Sequence, residues 1–335
     1  MLVGRSAEYG QLDLLLRSAP RVTVVGPGGI GKSALAGAYG LAAEAAGGRV
    51  VRLDLAAPGA AEALAAPGAA DVLMGARTGG ELLLLESCEN ALDACAEVLA
   101  ELDDAGAAAG AVAGARVLAT SRCPLPGSIN LHLGPLERPD AVGLFARHAR
   151  RHGTDVAATA QSRTLADDIC ALLEDEPLAL VLAAAQLPHT PLNSLAARLI
   201  DAGECLALTS EAPDVPPRHR SVRRCLGWSH QLCTADERLL WARLSVFPDS
   251  FTAAAAWRVC ADERLRGGVL TAALEGLHRQ SVVQSVGGGR PGTWYRMPRT
   301  VRAYGSEWLL RLGEERTFRR RCLEWSMGTA DLDPS

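Results

Sequence analysis

Lysine is nearly absent. Of 34 basic side chains in this 335-residue chain, one (Lys32) is a lysine and the other 33 are arginine. Arginine stands wherever the chemistry permits it, so the retained lysine marks a place where a planar guanidinium cannot replace a compact ammonium. Paired-cysteine metal spacings are missing too. The nine cysteines (88, 95, 123, 170, 205, 225, 233, 260 and 322) include no Cys-x-x-Cys. That argues against a zinc or disulfide framework and fits reduced thiols in a cytoplasmic protein. No secretory signal opens the sequence. The leucine-rich apolar stretch from Leu178 to Leu187, broken only by Gln186, is too short to span a bilayer, so no membrane partner is expected. An Asn-Lys-x-Asp-type reader of guanine is likewise lacking.

What is present is a globular composition, 48% hydrophobic and 21% charged, in a chain long enough for two or three domains. The net charge of −4 hides an asymmetry: residues 1–215 carry 15 basic and 26 acidic side chains, residues 216–335 carry 19 and 12. Such a dipolar chain suits docking of its own halves, or a basic half meeting an acidic partner or nucleic acid.

The lone lysine lies in Gly26-Pro27-Gly28-Gly29-Ile30-Gly31-Lys32-Ser33, a Gly-x-x-x-x-Gly-Lys-Ser phosphate-binding loop. Backbone N–H groups of such a loop cradle phosphates, the ammonium reaches the β and γ oxygens, and the serine hydroxyl ligates Mg²⁺. The flanks fit: Arg21–Val25 has the pattern of a buried strand, and Ser33-Ala34-Leu35-Ala36 opens a helix. The spacing therefore predicts binding of a nucleoside triphosphate or its product.

Strands predicted at Arg21–Val25, Val50–Leu55, Leu82–Leu85, Arg116–Ala119 and Ile129–Leu133 alternate with helices at Lys32–Ala46 and Ala91–Leu102, which implies a parallel sheet covered on both faces. Residues 56–80 are Ala-, Gly- and Pro-rich and weakly patterned, and 105–115 form an Ala/Gly loop. From Pro139 onward the pattern is helical, with helices expected at 140–151, 159–173, 177–187 and 192–201. Residues 209–217 are the best linker candidate. Beyond them come helices at 221–233 and 234–245, the second opened by a Thr234…Glu237 capping box. A further helix at 268–278, a hairpin pairing 281–286 with 293–297, and a helix at 300–312 suggest a winged-helix domain. The expected organisation is thus a P-loop domain (1–136), a helical domain (137–208), a linker (209–217), a winged-helix domain (218–312) and the start of a helical region (313–335).

A phosphate loop needs an acid at the end of a neighbouring strand for Mg²⁺, and Leu82-Leu83-Leu84-Leu85-Glu86 supplies one. Arg116-Val117-Leu118-Ala119-Thr120-Ser121-Arg122 is a strand ending in polar groups and one arginine. Ligands lie beyond the carboxyl ends of parallel strands, which would bring Arg122 to face a γ-phosphate.

In order along the chain, these pieces resemble the STAND class of signal-transduction ATPases, and more closely the NB-ARC-type module of AfsR/LuxR-type bacterial regulators. Leu2-Val3-Gly4-Arg5 is similar to the family's N-terminal Val-Gly-Arg element. Residues 26–33 match its phosphate loop, Leu82 to Asn90 its Walker B segment, and Ala119-Thr120-Ser121-Arg122 its sensor strand. Leu133-Gly134-Pro135-Leu136 is similar to its turn into the helical domain, and Pro177-Leu178-Ala179-Leu180 to its Gly-Leu-Pro-Leu element. Trp228-Ser229, Leu244-Ser245-Val246-Phe247, Tyr295-Arg296-Met297 and Thr300 to Tyr304 resemble winged-helix signatures. The resemblance implies an ATP/ADP-binding switch. Val3, Gly4, Arg5 and Pro177 would lie near the adenine, Gly26 to Ala34 would hold the phosphates, and Ser33 and Glu86 would hold Mg²⁺. Lys32, Glu86 and Arg122 would carry a slow ATP hydrolysis.

Three departures stand out. Glu86 replaces the usual aspartate, which pushes the carboxylate about 1.5 Å further by bond lengths. Glu174-Asp175-Glu176 replaces the glycine and leucine before the proline, and acids there are expected as a solvated helix start. Met297-Pro298-Arg299 lies where many relatives carry Met-His-Asp, and Pro298 cannot make the histidine's contact with an ADP phosphate. Three outputs stay open on the sequence: a slow switch in transcription regulation acting through a protein partner or self-association, a nucleotide-binding scaffold without turnover, and DNA binding through the arginines at 218, 220, 223 and 224.

Overall fold

In the computed structural model, residues 2–66, 82–108, 116–212, 215–287 and 293–330 are described. The expectations for most of the Ala/Gly-rich stretches, for the tip of the hairpin at 288–292 and for residues 331–335 lie outside them. The chain divides into two compact units, Met1–Gly134 and Pro135–Ser335.

The first unit is built on five parallel strands: β1 (Arg21–Val25), β2 (Val50–Asp54), β3 (Leu82–Glu86), β4 (Arg116–Ser121) and β5 (Ile129–His132), in the spatial order β2-β3-β4-β1-β5. Strand side chains alternate between faces, and here both faces are dry. Val22, Val24, Leu82, Leu84, Leu118 and Leu131 pack on one side with Leu12, Leu16, Leu35 and Tyr39. Leu83, Leu85, Val117 and Ala119 pack on the other with Cys95, Val98 and Leu99. This is why the central strands are near-continuous Val and Leu runs rather than alternating ones. Each leucine so enclosed contributes roughly 1.5–3 kcal/mol of burial. Helices α1 (Ser6–Ser18) and α2 (Lys32–Ala45) supply the first layer, while α3 (Ala60–Leu64) and α4 (Leu92–Ala108) supply the second. Helix α1 is not evident from the motifs; its buried residues Leu12 and Leu16 stand one turn apart.

The second unit is mostly helical: α5 (Arg138–Arg151), α6 (Ala160–Leu172), α7 (Pro177–Ala184), α8 (Leu192–Leu199), α9 (Val222–Leu232), α10 (Ala235–Leu244), α11 (Ala253–Cys260), α12 (Gly268–Arg279), α13 (Arg299–Arg311) and α14 (Glu315–Ala330). One apolar cluster runs through it from Leu136 to Cys322. The Thr234–Glu237 capping box forms as expected, with both reciprocal hydrogen bonds. The hairpin pairs β7 (Gln284–Val286) with β8 (Trp294–Arg296), and a short strand β6 (Phe251–Thr252), not foreseen, adds to β8. At the expected linker, Thr209 pairs with Ser221, and the Ser210 N–H donates to the Arg220 carbonyl at 2.9 Å. Tyr304 and Trp308 of α13 meet the His230 ring at 5.6 and 4.6 Å and form an aromatic seam with it. Burial, with the Arg238 charge adding to it, lowers the His230 pKa to about 4. No disulfide joins any of the nine cysteines. Among the described residues no helix is long and apolar enough to cross a membrane.

Candidate functional site

The loop from Gly26 to Gly31 leaves the end of β1 between the ends of β4 and β5. The Gly26 N–H donates to the Ser121 carbonyl at 3.3 Å, and the Leu133 N–H donates to Val25 at 2.8 Å. In an open α/β sheet this carboxyl edge is where ligands lie. Glycine is required at two points for different reasons. A Cβ on Gly26 would meet the Leu133 carbonyl oxygen at 2.7 Å, and Gly31 adopts φ +101°, a conformation that L side chains rarely take. Gly29 also has positive φ. Gly31 is the N-cap of α2, so Lys32, Ser33 and Ala34 form its first turn, where unsatisfied N–H groups and the helix dipole favour an anion.

The Lys32 ammonium turns back over its own loop, donating to the carbonyls of Gly26 at 2.7 Å and Pro27 at 2.8 Å. Ile30 is buried beneath the loop, and Pro27, Gly28 and Gly29 are partly open to solvent. Glu86 ends β3 on the same edge of the sheet, opposite Asp54 of β2 in register; β3 is not the immediate neighbour of β1 that the sequence suggested, since β4 lies between them. Among the described residues no group of three or more His, Cys, Asp or Glu side chains is poised to hold a metal. A hydroxyl, one carboxylate and phosphate oxygens are nevertheless an ordinary Mg²⁺ set. The glycine-lined bend, the helix start, Lys32, Ser33 and Glu86 therefore fit a nucleotide phosphate chain with Mg²⁺.

Arg5 is placed beside the loop. It is buried, and one of its Nη atoms donates to the Ile30 carbonyl at 3.1 Å and to the Gly134 carbonyl at 2.6 Å, while the other meets Glu8 at 2.6 Å. Val3 and Gly4 precede it, Gly4 with φ 64°. Pro177 belongs to the second unit, where it opens α7 with Glu176 as N-cap. Arg122 is buried against a residue to which the motifs assign no role. Its Nε donates to Glu89 Oε1 at 3.1 Å, and its backbone N–H donates to Glu89 Oε2 at 3.2 Å. The only sequence signal for Glu89 is its place three residues after Glu86.

The three acids before Pro177 are not a solvated helix start. Glu174 pairs with Arg296 at 2.5 Å and accepts the Arg299 N–H at 3.0 Å. Asp175 takes the Arg138 guanidinium through both oxygens at 2.8 and 3.0 Å, and Glu176 accepts from Thr300. Glu174 and Asp175 both hold positive φ, a local cost of about 1–2 kcal/mol each that these partners offset. A separate cavity of about 340 Å³, bordered by Tyr9, Asp13, Tyr39, Arg49 and Arg116, opens at the amino edge of the sheet, away from the phosphate loop.

No family model matches the chain. It is 32% identical over 332 residues to the uncharacterised protein Rv0894 of Mycobacterium tuberculosis, with 93% of this chain and 82% of that protein covered. It is 33% identical over 237 residues to Rv0890c of the same organism, assigned by name as an HTH-type transcriptional regulator; that match covers 70% of this chain and 26% of the longer protein. Among solved structures, the Walker-type ATPase PABY2304 of Pyrococcus abyssi superposes with a TM-score of 0.54 at 13% identity, covering 91% of this chain and 96% of that one. This likeness establishes the fold, that of the P-loop ATPases.

Proposed function

The chain belongs to one family with the mycobacterial protein Rv0894, and from that premise we propose that it is an ATP/ADP-binding switch of the STAND class, an NB-ARC-type module of the kind found in AfsR/LuxR-type regulators. The observation that carries the reading is the position of Lys32. Its ammonium lies over the mouth of a glycine bend that two strand ends hold in place. Carbonyls at 2.7 and 2.8 Å are weak substitutes for the anionic phosphate oxygens a lysine in this loop serves.

In this reading the first-turn amides of α2 and Lys32 bind the phosphates, and Ser33 and Glu86 hold Mg²⁺, which neutralises phosphate charge when bound. Arg5 fixes the loop from behind through Ile30 and anchors the Val3–Arg5 segment beside the base. Turnover is slow, because Glu86 is assigned to the metal and Glu89 is engaged with Arg122. ATP and ADP then favour different states of the chain, and the output is regulation of transcription through a protein partner. The similarity to Rv0890c supports that output. Direct DNA binding by residues 218–224 is not favoured, since Arg223 is held in a two-point pair with Glu307. Titration of ATP into the chain and into its Lys32→Ala form tests the reading: binding should be lost in the variant, and equal affinity in both would end it.

A further inference from the structure

Arg122 and Glu89 are both almost wholly enclosed, with side-chain exposures of 4% and 8%. Arg122 follows β4, and Glu89 lies in the tight turn Cys88–Asn90 after β3, the neighbouring strand. The turn is fastened to β4 from a strained start. Ser87 holds φ 62°, its N–H donates to the Thr120 hydroxyl oxygen at 3.2 Å, and the Asn90 side chain donates to the Ser87 carbonyl at 2.9 Å. A left-handed serine costs about 1–2 kcal/mol and persists only where its surroundings over-determine it. Here that conformation puts a carboxylate onto both the Nε and the backbone N–H of Arg122.

We infer that Glu89 sets the preference between ATP and ADP, by holding Arg122 in a buried ion pair that the γ-phosphate must compete for. The inference rests on the nucleotide-binding reading above. An arginine keeps its charge throughout, so its direction is decided by whichever anion holds it. Withdrawing the guanidinium would leave Glu89 enclosed without a counter-charge, which is strongly unfavourable. That opposition weighs against ATP alone, because ADP brings no third phosphate to draw the arginine. Glu89 is thus a positioning residue acting through Arg122.

Calorimetric dissociation constants for Mg-ATP and Mg-ADP test this in the full chain, in Glu89→Gln, in Arg122→Ala and in the double variant. Glu89→Gln keeps the size and one of the two acceptor oxygens but removes the charge. It should tighten ATP binding about tenfold, roughly 1.4 kcal/mol, and leave ADP within about twofold. In the Arg122→Ala background the same change should move neither constant, a result that a merely structural role would not give. Glu89→Asp, which keeps the charge but shortens the reach, should shift the ratio the same way by about threefold and serves if Glu89→Gln melts early. An unchanged ATP-to-ADP ratio in both Glu89 variants would overturn the inference while leaving the binding reading intact, as would an equal shift without Arg122. Absence of nucleotide binding by the unaltered chain removes both.

Discussion

The Thr300 hydroxyl donates to Glu176 at 2.8 Å, joining the first turn of α13 to the N-cap of α7 across 124 residues of sequence. Burial raises the Glu176 pKa to about 7; Glu174 adds to the rise, and Thr300 and Arg296 oppose it. A carboxyl so raised keeps its proton in the fold where the unfolded chain has released it. Its contribution is therefore full below about pH 4.5 and is lost as pH climbs through 7. Glu176→Gln should exceed the unaltered chain in stability at pH 8 by about 2 kcal/mol. The gap should shrink to under about 1 kcal/mol at pH 5. Urea unfolding at the two pH values measures it, and a gap that does not change with pH would contradict the assignment.

Arg243 is a second buried node, wholly inaccessible. Its guanidinium meets both oxygens of Glu314 at 2.9 and 3.0 Å, Asp262 at 2.6 Å and the Cys260 carbonyl at 3.0 Å, and stacks on Phe318 at 4.3 Å. Arg243→Met keeps the volume and leaves two carboxylates without their cation. Each is about a quarter exposed, at 27% and 25%, and regains some water. The expected loss is about 3 kcal/mol at pH 7, near the lower end for a broken buried pair. Hydrogen bonding to Arg243 also holds the Asp262 carboxyl well below the usual range. That part of the stability is present above about pH 4 and fades as pH falls further, so the two proteins should converge in acid. A denaturant midpoint unchanged at pH 7 would refute the role.

These two nodes mark where the sequence stops being legible. The central strands are readable because runs such as Leu82–Leu85 and Arg21–Val25 have one use in a covered parallel sheet. The phosphate loop is readable because Gly26, Gly31 and Lys32 each meet a local demand of backbone or charge. Glu174, Asp175 and Glu176 look like the acids that favour any helix start, yet Glu174 and Glu176 take partners 122 to 125 residues away and Asp175 takes one 37 residues away. No periodicity encodes such a pairing. Glu89 is hidden for the same reason: its partner is 33 residues on, brought close by β3 lying beside β4. Helix α1 escapes because most of its residues are exposed or half-buried and its two buried leucines make only a narrow stripe.

Whether position 32 could have become arginine, as 33 other basic positions did, is open to direct trial. In Lys32→Arg the charge is kept and only its shape changes. The ammonium fits between two loop carbonyls at 2.7 and 2.8 Å. A guanidinium is planar and broader, with its donors splayed, and it cannot occupy that point without displacing the bend at Gly26. Gly26 is closely bordered on one side, since a Cβ there would stand 2.7 Å from the Leu133 carbonyl oxygen, and its N–H is tied to the Ser121 carbonyl at 3.3 Å. If charge alone mattered, Lys32→Arg would bind Mg-ATP like the unaltered chain. If shape decides, its affinity should fall about a hundredfold, roughly 2.7 kcal/mol, close to that of Lys32→Ala. Thermal melting should stay within a few degrees of the unaltered protein, because the Lys32 side chain lies over the loop and outside the apolar clusters. Calorimetry on the three proteins separates the cases, and binding by Lys32→Arg within about threefold of the unaltered chain would remove the explanation for the single lysine.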